Sequence, residues 1–222
     1  MPTTGHAAAS DSHPDRYRVV LGGSDPNACD SKLVATRTFL PGEVVGFLTG
    51  TPAKKRYTTV QVSRHEHIEL DTSIVYSNHS CDPSAAFDCA LRECVALRTI
   101  YPGDEITAFY PASEWDMARP FECWCGSSGV SRGRRGGLDA FGLSPSAPAM
   151  APVCFGPFGI ERARGRVNRG RPVSPCSACF KKIEGAKSIP KEALAGYRLN
   201  DHIRELLEER DSAAGTTQQQ VA

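Results

Sequence analysis

No stretch of the 222-residue chain is apolar for long enough to cross a bilayer as a helix, which excludes a helical membrane span. Net charge is also nearly absent: 26 Lys and Arg face 25 Asp and Glu, a formal +1. A chain so balanced has no overall attraction for nucleic acid or an anionic membrane. The start, MPTTGHAAASDSHPD, lacks a basic n-region and an apolar h-region, so residues 1–15 read as a disordered leader and not a secretory signal. Nine cysteines without such a signal point to a reducing compartment, the cytoplasm or nucleus. There, clustered Cys bind metal or do chemistry more often than they pair as disulfides.

A further shortage is local. Residues 130–178 contain no Lys and only Asp139 and Glu161 as acids, against eight Arg, so this stretch is +6 and the remainder −5. Eight Gly and six Pro interrupt it, and neither helical nor strand periodicity persists. Such a composition buries too little apolar area to offset the entropy of ordering, and the segment reads as a disordered insertion.

What is present before the insertion is β. RYRVVLG reads as a strand, KLVATRTFLPGEVVGFLTG as two strands around Pro41-Gly42, and TTVQVSRHEHIEL as one or two more. RTFLPGEVV and RTIYPGDEI repeat one pattern, with Pro second and Gly third as a type II turn requires. Two hairpins of one geometry explain it by shared turn chemistry. After the insertion, SIPKEAL and HIRELLEER read as helices, the latter capped by Asn200-Asp201 with Ile203, Leu206 and Leu207 on one face. Glu208 and Glu209 oppose the dipole at its end, and residues 210–222 read as a disordered tail. The fold class is mainly β, a β-rich α+β chain with a C-terminal helix.

Three motifs carry chemistry: NHSCDP from Asn78, GDEITAFY ending at Tyr110, and CWCGSS from Cys123. Their order and spacing resemble the SET-domain protein-lysine methyltransferases with a post-SET cysteine segment, over residues 16–129 and again from Cys179. The resemblance implies small curved sheets with a pseudoknot, in which the NHSC segment threads beneath a later loop. It also implies transfer of methyl groups from S-adenosylmethionine to lysine on a protein substrate, histones among the options. Carried over, Lys32, Leu33, Asn78, His79, Tyr110 and Trp124 contact the cofactor, and Tyr110 is the catalytic tyrosine. His79 reads equally as a structural histidine bridging the knot. Tyr57, Tyr76, Phe109, Phe121 and Trp124 are the aromatics available for a lysine channel.

The resemblance further implies one structural zinc on Cys81, Cys123, Cys125 and Cys179. The family's third post-SET cysteine should follow at position 130, where Val130 stands. Removing residues 130–178 restores C-x-C-x4-C with Cys179 as the fourth ligand, so the insertion reads as a loop or a retained intron. Cys29, Cys89, Cys94 and Cys154 read as free or buried thiols. The chain departs from the family in having Asp30-Ser31-Lys32 where Gly-x-Gly is usual, no Arg before the NHS motif, and no preceding cysteine cluster. The expected partner is a lysine-bearing protein, with neither membrane nor nucleic acid, and the chain is read as a monomer. The rival reading is a catalytically inactive SET-fold module that binds zinc and protein. An Arg-rich nucleic-acid arm ranks behind both, because the eight Arg are scattered.

Overall fold

In the computed structural model, residues 11–21, 31–123, 125, 127 and 182–219 are described. The insertion, Trp124, Cys179, Cys29 and Cys154 lie outside them. Twelve short strands, two α-helices and three 3-10 turns are present among the described residues, so the protein is mainly β. In chain order the strands are β1 (Tyr17–Val20), β2 (Lys32–Ala35), β3 (Val44–Phe47), β4 (Gly50–Ala53), β5 (Thr59–Gln61) and β6 (His67–Leu70). They continue as β7 (Asn78–His79), β8 (Ala85–Asp88), β9 (Glu93–Ala96), β10 (Thr107–Ala108), β11 (Phe121–Glu122) and β12 (Lys182–Ile183). The helices are α1 (Lys191–Leu194) and α2 (Asp201–Gln219).

These strands form five small sheets: β1-β2, β3-β9-β8, β4-β6-β5, β11-β12 and the parallel pair β10-β7. Pro52 has no N–H to donate, and it lies on β4, an edge strand, where that lack is tolerated.

The segments leading into the two similar Pro-Gly turns meet. Phe39 and Ile100 exchange both backbone hydrogen bonds, at 2.9 and 3.0 Å. Each turn closes alike, Glu43 N to Leu40 O and Asp104 N to Tyr101 O, both 3.0 Å. Gly42 and Gly103 adopt φ of +85° and +93°, the left-handed conformation that a type II turn needs at its third residue. Each glycine N–H then donates into the neighbouring strand, Gly42 to Ala96 O and Gly103 to Ala35 O. The repeated motif is one solution used twice, on opposite sides of the Phe39–Ile100 pair.

Two apolar cores result. The larger one gathers Tyr17, Leu33, Phe39, Val45, Ile74, Ile100 and Ile106, all essentially fully buried. The smaller one joins Phe109 and Ala112 to Ile189, Leu194, Ile203 and Leu207 from the C-terminal segment. Residues 107–112 connect the two, since Ala108 belongs to the first and Phe109 to the second. Among the described residues, no helix is long and apolar enough to cross a membrane.

Three boundaries differ from the sequence reading. The end of the leader is ordered: Val19 N donates to Asp11 Oδ1 at 2.6 Å, and Ser12 and Ser73 exchange hydrogen bonds of 3.1 and 3.0 Å. The tail expected to be disordered from 210 is helical to Gln219. Ile203 and Leu207 anchor α2 in the smaller core, and Arg210 donates to the carbonyls of Ala186, Lys187 and Ile189. Once a helix is nucleated, extending it costs little. Glu208 and Glu209 therefore stand in mid-helix, where Glu209 pairs with Arg64. Finally, Asn200 does not use its side chain as a helix cap. Its amide nitrogen donates to Phe87 O and Ala112 O, each at 2.9 Å, and its amide oxygen accepts from Cys89 N at 2.8 Å.

Candidate active site and metal centre

The β7-β10 pair sets Asn78 beside Thr107 and His79 beside Ala108. Ser80 N extends the ladder to Ala108 O at 2.9 Å. This brings NHSC alongside the strand that ends in Tyr110. Tyr110 opens a 3-10 turn, Tyr110–Ala112, and its hydroxyl donates to Ser77 O at 2.8 Å.

His79 lies against three aromatic rings: Phe109 at 5.6 Å, Tyr110 at 5.4 Å and Phe121 at 5.6 Å between centroids. Burial lowers its pKa to about 4, so the imidazole is neutral at physiological pH. Tyr110 N donates to Nδ1 at 3.4 Å, which leaves the ring proton on Nε2, 3.5 Å from Cys81 Sγ.

Beyond Cys81 lie two more sulfurs. Cys81 Sγ is 3.7 Å from Cys123 Sγ, and Cys123 Sγ is 3.4 Å from Cys125 Sγ. The ligand atoms of His79, Cys81 and Cys123 all fall within 4.8 Å of one another. Zinc–sulfur bonds of about 2.3 Å in a tetrahedron separate sulfurs by about 3.8 Å, so the cluster has metal-site spacing. The thiols are also polarised. Burial raises Cys123, whereas Cys125 falls to about 6: burial opposes this, but the Ser127 hydroxyl, the Cys81 and Ser127 amides and the Cys123 thiol all stabilise its thiolate. By contrast, burial pushes Cys89 and Cys94 up to about 12, as inert thiols.

Of the other expected cofactor contacts, Asn78 donates through Nδ2 to Ser31 O and to Glu105 Oε1, both at 2.9 Å. Lys32 is exposed at the start of β2, next to that Ser31 carbonyl. Leu33 is fully buried in the larger core, and its carbonyl accepts from Ile106 N at 2.9 Å. Trp124 and Cys179 fall outside the described residues. Among the aromatics considered for a channel, Phe109 and Phe121 flank His79, Tyr76 packs on the larger core, and Tyr57 is exposed.

A cleft of about 390 Å³ opens beside this site, lined by Asp82, Arg98, Asp104, Glu105, Thr107 and Cys125 among others. Three acids against one Arg give it a bias toward cationic ligands.

Ser77, Ser127 and Tyr197 were not singled out from the sequence. Ser77 contributes a backbone carbonyl, which has no sequence signature. Ser127 stands within the CWCGSS motif and is 3.1 Å from Cys125 Sγ. Tyr197 is 116 residues from its partner Cys81, and nothing local marks it.

No family profile matches the chain. It is 43% identical over 121 residues to a protein named Methyltransferase flvH from Aspergillus flavus, a match over 52% of this chain and 66% of that protein. The match thus spans just under two thirds of the relative's length. Over about half of its length, then, the chain is similar to a protein whose name is that of a methyltransferase.

Proposed function

We propose that this protein is a SET-type enzyme that methylates lysine side chains of a protein substrate with S-adenosylmethionine. The observation that carries the reading is the Tyr110 hydroxyl, 2.8 Å from Ser77 O, beside the ring of His79 and the cysteine cluster. When bound, S-adenosylmethionine supplies a methyl group on a sulfonium. Asn78, His79 and Tyr110 would hold it, and it would supply that methyl to a neutral lysine amine, with sulfur leaving on the C–S electron pair and the methylated ammonium giving its proton to solvent.

Each residue has a task in that chemistry. Phe109 and Phe121 supply the apolar wall that desolvates the lysine, whose unperturbed pKa of about 10.4 must fall for the amine to be neutral. Tyr110 and the Ser77 carbonyl offer oxygens that orient a methyl group through C–H···O contacts. Both amide hydrogens of Asn78 are engaged, so what it offers a cofactor is its amide oxygen, an acceptor suited to an ammonium group. The acidic cleft suits a cationic cofactor. The Cys81–Cys123 and Cys123–Cys125 sulfur separations and the depressed pKa of Cys125 support a structural zinc on these three cysteines, with Cys179 as the proposed fourth ligand. The protein is read as a monomer of the cytoplasm or nucleus, without a nucleic-acid or membrane partner.

The test is labelled S-adenosylmethionine with a lysine-rich protein substrate such as core histones. Methyl incorporation into lysine, lost in Tyr110→Phe, supports the reading. Cofactor binding by calorimetry without any methyl transfer would favour the inactive binding module.

A further inference from the structure

One residue of the C-terminal segment that no motif contains, Tyr197, touches the site directly. Tyr197 follows α1, and its ring lies parallel to Phe109, 3.7 Å between centroids with planes 10° apart. Its hydroxyl donates to the Cys81 carbonyl at 2.9 Å. One side chain therefore touches both halves of the site, the residue beside Tyr110 and the turn that carries the most buried cysteine of the cluster.

The backbone around it is held independently. Tyr197 N donates to Leu194 O at 3.0 Å, and Asn200 N donates to Ala112 O at 3.0 Å. With the Asn200 side chain fixed to Phe87, Cys89 and Ala112, Tyr197 is presented from a rigid base.

We propose that Tyr197 is a positioning residue of the metal centre: its hydroxyl fixes the Cys81 turn so that the Cys81 sulfur stays in place against Cys123, and its ring carries that constraint to Phe109. A thiolate whose backbone is pre-set loses less freedom when it binds a cation, so the metal is retained longer. The link is directional. Removing the hydroxyl frees the Cys81 turn and leaves the stack on Phe109; removing the ring loosens both. This inference rests on the zinc reading of the cysteine cluster, and its test separates the two.

Purified full-length wild type, Tyr197→Phe and Tyr197→Leu are loaded with zinc, and its release to excess chelator is followed. Tyr197→Phe should release zinc about fivefold faster, the effect of one neutral hydrogen bond. Tyr197→Leu should release it at least as fast and should also lower methyl transfer. A purely structural role would lower melting temperature without altering the metal's surroundings, so the same proteins are reconstituted with cobalt. The thiolate-to-cobalt absorption of Tyr197→Phe should shift from that of wild type. Equal release rates and identical cobalt spectra for wild type and Tyr197→Phe would overturn the assignment with the zinc reading intact. A wild-type protein that holds neither metal would overturn the zinc reading itself, and this inference with it.

Discussion

The hydroxyl of Tyr110 is hydrogen-bonded to the backbone carbonyl of Ser77, 33 residues earlier in the chain, at 2.8 Å. The contact joins the end of the GDEITAFY strand to the residue just before NHSC. It also gives the tyrosine a role that does not depend on packing, because the ring is separately held by His79 and Phe121.

Tyr110→Phe keeps those ring contacts and deletes one hydroxyl. Methyl transfer should fall by tenfold or more, since alignment of reacting groups carries effects of that size. Affinity for S-adenosylmethionine, read by calorimetry, should change much less. Equal turnover of variant and wild type on a working substrate removes Tyr110 from catalysis.

The cysteine cluster predicts metal content. Elemental analysis should find about one zinc per chain, as a closed four-ligand site requires. Cys81→Ser and Cys123→Ser should each lose the metal and lower the melting temperature. Cys94→Ser, remote from the cluster in the larger core, should keep it. Metal-free protein that folds and binds cofactor as well as the zinc-loaded form would contradict a structural zinc.

Glu114 predicts a pH dependence of stability. Its carboxylate is buried and accepts from Gln61 N at 2.7 Å, and burial raises its pKa from 4.5 to about 7. Between those values the folded state holds a proton that the unfolded state has released. Stability from this group is therefore complete below pH 4.5, declines as pH rises, and is gone above about 7. The difference is on the order of 3 kcal/mol. Glu114→Gln, which keeps an oxygen acceptor but cannot ionise, should gain on wild type between pH 5 and pH 8 in paired thermal melts. A constant difference across that range counts against the argument.

Glycine substitutions should rank by what surrounds them. A Cβ on Gly50 would stand 2.0 Å from Glu69 O, a backbone atom that cannot move aside cheaply. At Gly42 and Gly103 space is open, and the obstacle is the left-handed backbone alone. Gly42→Ala and Gly103→Ala should each cost about 1–2 kcal/mol, and Gly50→Ala more. In a domain of this size each kcal/mol lowers the melting temperature by about 2–4 °C. A Gly50→Ala protein as stable as the two turn variants would refute the ranking.

Short-range chemistry was legible in the chain. Pro-Gly in RTFLPGEVV and RTIYPGDEI was enough to specify two type II turns, because only glycine takes positive φ there without strain. Short apolar strands between turn signals indicate a mainly β protein, and the residues of NHSC, Tyr110 and C-x-C stand out as a set through their resemblance to the SET-domain family. Other features depended on contacts between distant segments. That the two turns flank one backbone bridge follows from the Phe39–Ile100 pair, 61 residues apart. Asn200 looked like a cap because its neighbours suit one, yet three buried backbone groups at Phe87, Cys89 and Ala112 needed partners, and its amide supplied them. The tail beyond residue 210 looked too polar to order, but α2 was already anchored by Ile203 and Leu207. Ser77 and Tyr197 were invisible because a carbonyl belongs to every residue and a tyrosine after a short helix has no pattern. Propensity and turn geometry act over a few residues, whereas a hydrogen bond from Tyr197 to Cys81 exists only once both cores have packed.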